Sequence, residues 1–128
     1  MSNEADAIVS ALIAEWCAGF ATLDAAALSS LYAKNAFFFG SNPKLYRGRD
    51  GVADYFNGLP RWRKPGAVFS EVLAAQASPD LINMAAIVSF DLAGEWAEFS
   101  VKMSWVILRE DGDWKIVNHH ASSRAPLI

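Results

Sequence analysis

The chain has 128 residues, 53% of them hydrophobic and 12% aromatic, enough apolar material for the core of one domain spanning residues 1–128. Its formal net charge of −3 offers no broad positive field to a phosphate backbone, and the longest basic cluster, Arg61-Trp62-Arg63-Lys64, is short, so no nucleic-acid partner is expected. A single cysteine, Cys17, excludes an intramolecular disulfide, and together with the acidic N-terminus and interrupted apolar stretches it leads us to expect no secretory signal, no membrane span and a cytoplasmic protein.

The first predicted element is a helix capped by Ser2 or Asn3, in which Ile8, Leu12, Ile13, Trp16 and Phe20 recur at three- and four-residue spacing. A second helix is predicted from Asp24, a good capping residue, through Leu28, Leu31 and Tyr32 to a stop near Asn35. The run Ala36-Phe37-Phe38-Phe39 is too short for a helix and is closed by the turn formers Gly40-Ser41-Asn42-Pro43, so it reads as a short buried strand. Beyond it, Asp50 can cap a third helix carrying Val52, Tyr55, Phe56 and Leu59 before Pro60 stops it.

From Ala67 onward the hydrophobic pattern becomes alternating, most clearly where Phe99, Val101, Met103, Trp105 and Ile107 are predicted to face a core. Turn signals at Ser78-Pro79-Asp80, Ala93-Gly94 and Glu110-Asp111-Gly112-Asp113 divide this half into four strands joined as hairpins. Helices followed by a meander predict an α+β domain in which three N-terminal helices pack on a curved, mainly antiparallel sheet. A sheet that curls around a helical layer encloses a hollow, and a ligand belongs there.

Three strings carry a family resemblance: Trp16 with Leu28-Ser29-Ser30-Leu31-Tyr32-Ala33, Tyr46-Arg47-Gly48-Arg49-Asp50-Gly51-Val52, and Asp113-Trp114-Lys115-Ile116-Val117-Asn118-His119-His120-Ala121-Ser122. Over nearly its whole length the chain resembles the SnoaL-like and calcium/calmodulin-dependent kinase II association-domain branch of the nuclear transport factor 2-like superfamily. The resemblance implies a cone-shaped, cystatin-like roll. It does not imply one reaction, because such families include ketosteroid isomerases, polyketide cyclases, dehydratases, epoxide hydrolases and inert oligomerisation domains. Isomerase chemistry needs a carboxylate base and acidic donors. By that resemblance the base position falls at or next to Gly40, Trp16 replaces a tyrosine donor, and no acidic residue occurs between Glu98 and Glu110.

His119 and His120 are the only histidines, and neighbours on a strand point to opposite faces, so at most one enters the hollow. Strict alternation puts Trp114, Ile116, Asn118, His120 and Ser122 on one face, which favours His120 as the acid/base candidate with Asn118 beside it. A histidine that merely holds neighbouring strands is the alternative. Trp16, Tyr32, Met103, Trp105 and Asn118 are expected to line a mostly apolar pocket for a small hydrophobic compound bearing a carbonyl or hydroxyl. No glycine-rich phosphate loop or other cofactor motif is present, and two adjacent histidines with one cysteine supply no third metal ligand, so neither cofactor nor metal is expected. Asp91, Glu95 and Glu98 read as a solvated hairpin end, Arg47 and Arg49 as surface charges, and Arg124 is left open.

Two functions follow from these residues. One is a ligand-binding domain, extending to an acid/base enzyme. The other is a non-catalytic association module that homodimerises through an outer sheet face bearing Val106, Leu108, Val117 and Ala121.

Overall fold

The computed structural model describes residues 4–92 and 99–128. The proposed Ser2 or Asn3 cap, the Ala93-Gly94 turn, Glu95 and Glu98 lie outside the described residues. The chain forms α1 (Glu4–Ala21), α2 (Ala25–Ser29), β1 (Tyr32–Phe39), β2 (Leu45–Arg47), α3 (Gly48–Asn57), β3 (Gly66–Ser78), β4 (Leu81–Asp91), β5 (Phe99–Glu110) and β6 (Asp113–Ser123). One six-stranded sheet runs in the order β2-β1-β6-β5-β4-β3. The β1–β6 pairing is parallel and every other pairing antiparallel.

The second helix is much shorter than its apolar spacing predicts. Asp24 does cap it, accepting a bond from the Ala27 N–H at 3.0 Å, but it ends at Ser29. Leu31 then gives its carbonyl to the Ile116 N–H at 2.9 Å, and Tyr32 opens β1 instead of closing a helix. Leu28, Leu31 and Tyr32 fit either period locally; long-range pairing with the last strand decides the outcome. Asp50 likewise lies in the first turn of α3, whose cap position is held by Arg47.

The four-strand meander follows the predicted turns where they are described. Asp111 and Gly112 take φ of +52° and +84°, the left-handed pair that a two-residue hairpin between Glu110 and Asp113 requires. Register irregularities interrupt the long strands, among them one in β3 and one in β6. In β3 the ladder slips between Ser70 and Leu73, where Glu71 adopts φ +50°; in β6 it slips at Val117, which has no partner between the Ile107–Ile116 and Val106–Asn118 pairs. Helix α1 packs on β3, where Trp16 meets Phe69 edge-on at 5.7 Å, and α3 covers β1, where Phe56 meets Phe38 at 5.6 Å. The core lies between these helices and the inner sheet face.

Arg49 is not a simple surface charge. Half-buried, it donates from Nε to the Tyr32 carbonyl at 2.8 Å and from Nη2 to Glu110 at 3.0 Å, tying β1 to the β5–β6 hairpin. Arg47 and Arg124 are exposed. No helix among the described residues is long and apolar enough to cross a membrane.

Candidate functional site

Trp16 and Phe20 stand one helical turn apart on the buried side of α1 and stack with centroids 5.2 Å apart and planes within 10°. Both line a cavity of about 360 Å³. Phe38 from β1, Phe56 from α3, Phe90 from β4 and Met103 from β5 add apolar wall, while His119 and Ala121 come from β6. Leu59 and Trp62, on the connection from α3 to β3, and the 41% exposed Phe99 add to it, and Ser41, Tyr55, Ser100, Ser122 and Ser123 bring hydroxyls to the lining. Among the described residues the lining carries no carboxylate, ammonium or guanidinium group.

Its polar centre is His119, only 2% exposed. The Trp16 indole N–H donates to the Tyr32 hydroxyl at 3.0 Å, and the Tyr32 O–H lies 2.8 Å from His119 Nδ1. The Trp105 indole N–H donates to the same Nδ1 at 3.0 Å. An indole N–H can only donate, so Nδ1 must accept, and the proton of the neutral ring sits on Nε2. Phe38 stacks on the imidazole at 4.0 Å and fixes its plane.

Burial, and secondarily the neighbouring His120, lowers the His119 pKa from 6.5 to about 3, so the ring is neutral in ordinary buffers. Burial also pushes the Tyr32 hydroxyl up, against the opposing effect of the Trp16 hydrogen bond, so Tyr32 keeps its proton. The cluster thus presents one fixed donor, the His119 Nε2–H, in a mainly apolar chamber. Because the Nδ1 lone pair is already engaged by two donors, the ring is poorly placed to take up a proton.

The expected orientation of the histidines is reversed. His120 is exposed on the outer face, its ring 5.3 Å from Phe39, and Asn118 is exposed beside it. The cause is the extra residue Val117, which shifts the alternation so that Ile116 and His119 both face inward. The same shift turns Ala121 into the cavity and removes it from the outer patch, while Val106, Leu108 and Val117 are half-buried. Of the other anticipated pocket residues, Trp16 and Met103 line the cavity; Tyr32 and Trp105 stand behind it and hold His119. Phe38, Tyr55, Phe56 and Trp62 were missed as lining residues, although their aromatic character in predicted helix, strand and turn segments was the available signal.

Two substitutions probe this construction. Tyr32→Phe leaves the Trp16 indole N–H without an acceptor in the core, and is expected to cost roughly 1–3 kcal/mol in urea unfolding. Gly40→Ala would place a Cβ 2.6 Å from the Tyr55 hydroxyl, which now bonds the Ser41 N–H at 2.9 Å and the Ser41 hydroxyl at 2.8 Å. The Tyr55 ring must therefore shift, at a cost of about 1–3 kcal/mol measurable by denaturant titration. The position at which the isomerase resemblance puts a carboxylate is thus filled by a tyrosine ring.

The SnoaL-like domain family matches residues 9–126. No curated protein matches the chain significantly in sequence. Among solved structures, a provisionally named calcium/calmodulin-dependent protein kinase II association domain from Xanthomonas campestris superposes with a TM-score of 0.82 at 25% identity, over 94% of this chain and 87% of that one. A provisionally named scytalone dehydratase from Novosphingobium aromaticivorans gives 0.82 at 13% identity, over 94% and 84%. A domain of unknown function with a cystatin-like fold from Nostoc punctiforme gives 0.81 at 11%, over 99% and 82%.

Proposed function

The chain belongs to the SnoaL-like domain family, and from that scaffold we propose that it binds a neutral, mainly apolar small molecule whose carbonyl or hydroxyl oxygen accepts a hydrogen bond from His119 Nε2. The observation that carries this reading is the double engagement of His119 Nδ1 inside an uncharged aromatic cavity. A fixed donor in a mainly apolar pocket recognises an acceptor well, because an analogue lacking one leaves the buried N–H unpaired. Dehydration, by contrast, needs a base to take a proton, and no described lining residue is a carboxylate or an accessible imidazole base. Binding is therefore favoured over acid/base turnover.

The test is calorimetric titration with a biphenyl carrying one acetyl group, compared between wild type and His119→Phe. Roughly tenfold weaker binding is expected in the variant, the worth of one hydrogen bond. The wild-type affinity should stay level between about pH 5 and pH 9, because neutral His119 does not titrate there. Equal affinities in the two proteins would remove His119 from the reading, and product formation from an added hydroxy compound would favour the enzymatic alternative.

A second reading, homodimerisation through the outer sheet face, is supported by one transverse row. Leu45, Phe39, His120, Ser104, Ala85 and Leu73 are register partners across all six strands. Leu45, Phe39 and Leu73 are 45%, 38% and 73% exposed, and the small Ser104 and Ala85 between His120 and Leu73 leave room for a second sheet. Sedimentation is expected to give a dimer mass for the wild type and a monomer for Phe39→Lys. A wild type that stays monomeric at every concentration would end this reading.

A further inference from the structure

Trp62 holds a buried side-chain donor without an acceptor among the described residues, its indole Nε1–H, while its ring lines the same cavity as His119. An N–H in that condition is destabilising until something answers it. The residue is not on a loose loop. Arg61 donates from Nη2 to the Phe56 carbonyl at 2.6 Å and from Nη1 to the Leu23 carbonyl at 3.4 Å, and the Trp62 N–H bonds the Pro60 carbonyl at 3.0 Å. An anchored turn thus delivers the indole to the cavity rim.

The order of the rings gives the cavity a direction. His119 lies 6.5 Å from Trp16, Trp16 stacks on Phe20 at 5.2 Å, and Phe20 lies 6.4 Å from Trp62. His119 and Trp62 thus stand at the two ends of this run of ring contacts, the Trp62 N–H still buried. The Trp16 N–H between them is already given to Tyr32, so the Trp16 and Phe20 rings offer the ligand apolar contact.

Resting on the binding reading above, we propose that the ligand is a flat, two-ended molecule with a hydrogen-bond acceptor at each end. The inner acceptor meets His119 and the outer one meets the Trp62 Nε1–H once the indole turns that buried group toward the cavity. Ligands with a single acceptor bind in the same place without that second bond. Trp62 is in this view a specificity residue rather than a catalytic one.

The experiment compares the one-acetyl biphenyl with a biphenyl acetylated at both para ends, by calorimetry, in wild type, Trp62→Phe and His119→Phe. Wild type should prefer the two-ended probe by about tenfold, one hydrogen bond's worth. Trp62→Phe should lose that preference, any change in its affinity being the same for both probes, whereas His119→Phe should weaken both and keep the preference. In wild-type protein with labelled tryptophan, the Trp62 indole N–H resonance should move downfield with the two-ended probe alone. A preference that survives in Trp62→Phe, or a Trp62 resonance blind to the probe, overturns the inference and leaves the binding reading standing. If neither probe binds the wild type, the binding reading falls and the inference falls with it.

Discussion

His119→Phe is expected to destabilise the fold by on the order of 3 kcal/mol, because it removes the acceptor shared by two buried donors. Phenylalanine keeps a flat ring between Phe38 and Trp16, so little packing is lost. What remains is a Trp105 N–H and a Tyr32 O–H facing apolar surroundings. Each such orphan costs roughly 1–3 kcal/mol. A domain of this size has about 5–15 kcal/mol of stability, so the variant still folds and its urea midpoint is measurable. His119→Gln, which restores an acceptor, should recover part of the loss. Stability unchanged in His119→Phe would mean that the polar cluster does not act as a unit.

Acid should weaken the wild type far more than this variant. The folded-state pKa of His119 lies at about 3 against 6.5 for the free side chain, so the unfolded chain takes up the proton first. The stabilising contribution is therefore complete above the unfolded value and is lost as the pH falls toward the folded one. The slope is about 1.4 kcal/mol per pH unit within that window. Starting from an advantage of about 3 kcal/mol over His119→Phe, the wild type should draw level near pH 4 to 5. Urea unfolding of both proteins across that range provides the measurement, and the difference between them cancels the carboxylates common to both. Parallel curves would show that His119 is not buried as a neutral ring.

These expectations depend on a site that was legible only in part. The helix spacing placed Trp16 and Phe20 on the core side of α1, and the alternation of β5 placed Met103, Trp105 and Ile107 inward, as the structure has them. Both rest on periodicity, a local property that survives folding when no residue is inserted. The Asp111-Gly112 turn was equally plain, because its backbone conformation is a property of those two residues.

The histidine assignment failed for a physical reason of a different kind. A bulge is a relation between two strands, and nothing in the string Ile116-Val117-Asn118-His119 marks Val117 as the residue without a partner. Tyr32 was lost to a helix for the same reason, since its parallel partner Ile116 is 84 residues away in the chain. Composition, hydrophobic period and turn chemistry by themselves determined the α+β class, the hairpin meander and the aromatic nature of the interior. Only the tertiary structure decided which histidine enters the hollow, which tautomer it holds and which wall each ring occupies, because register and hydrogen-bond partners arise between segments that are distant in sequence.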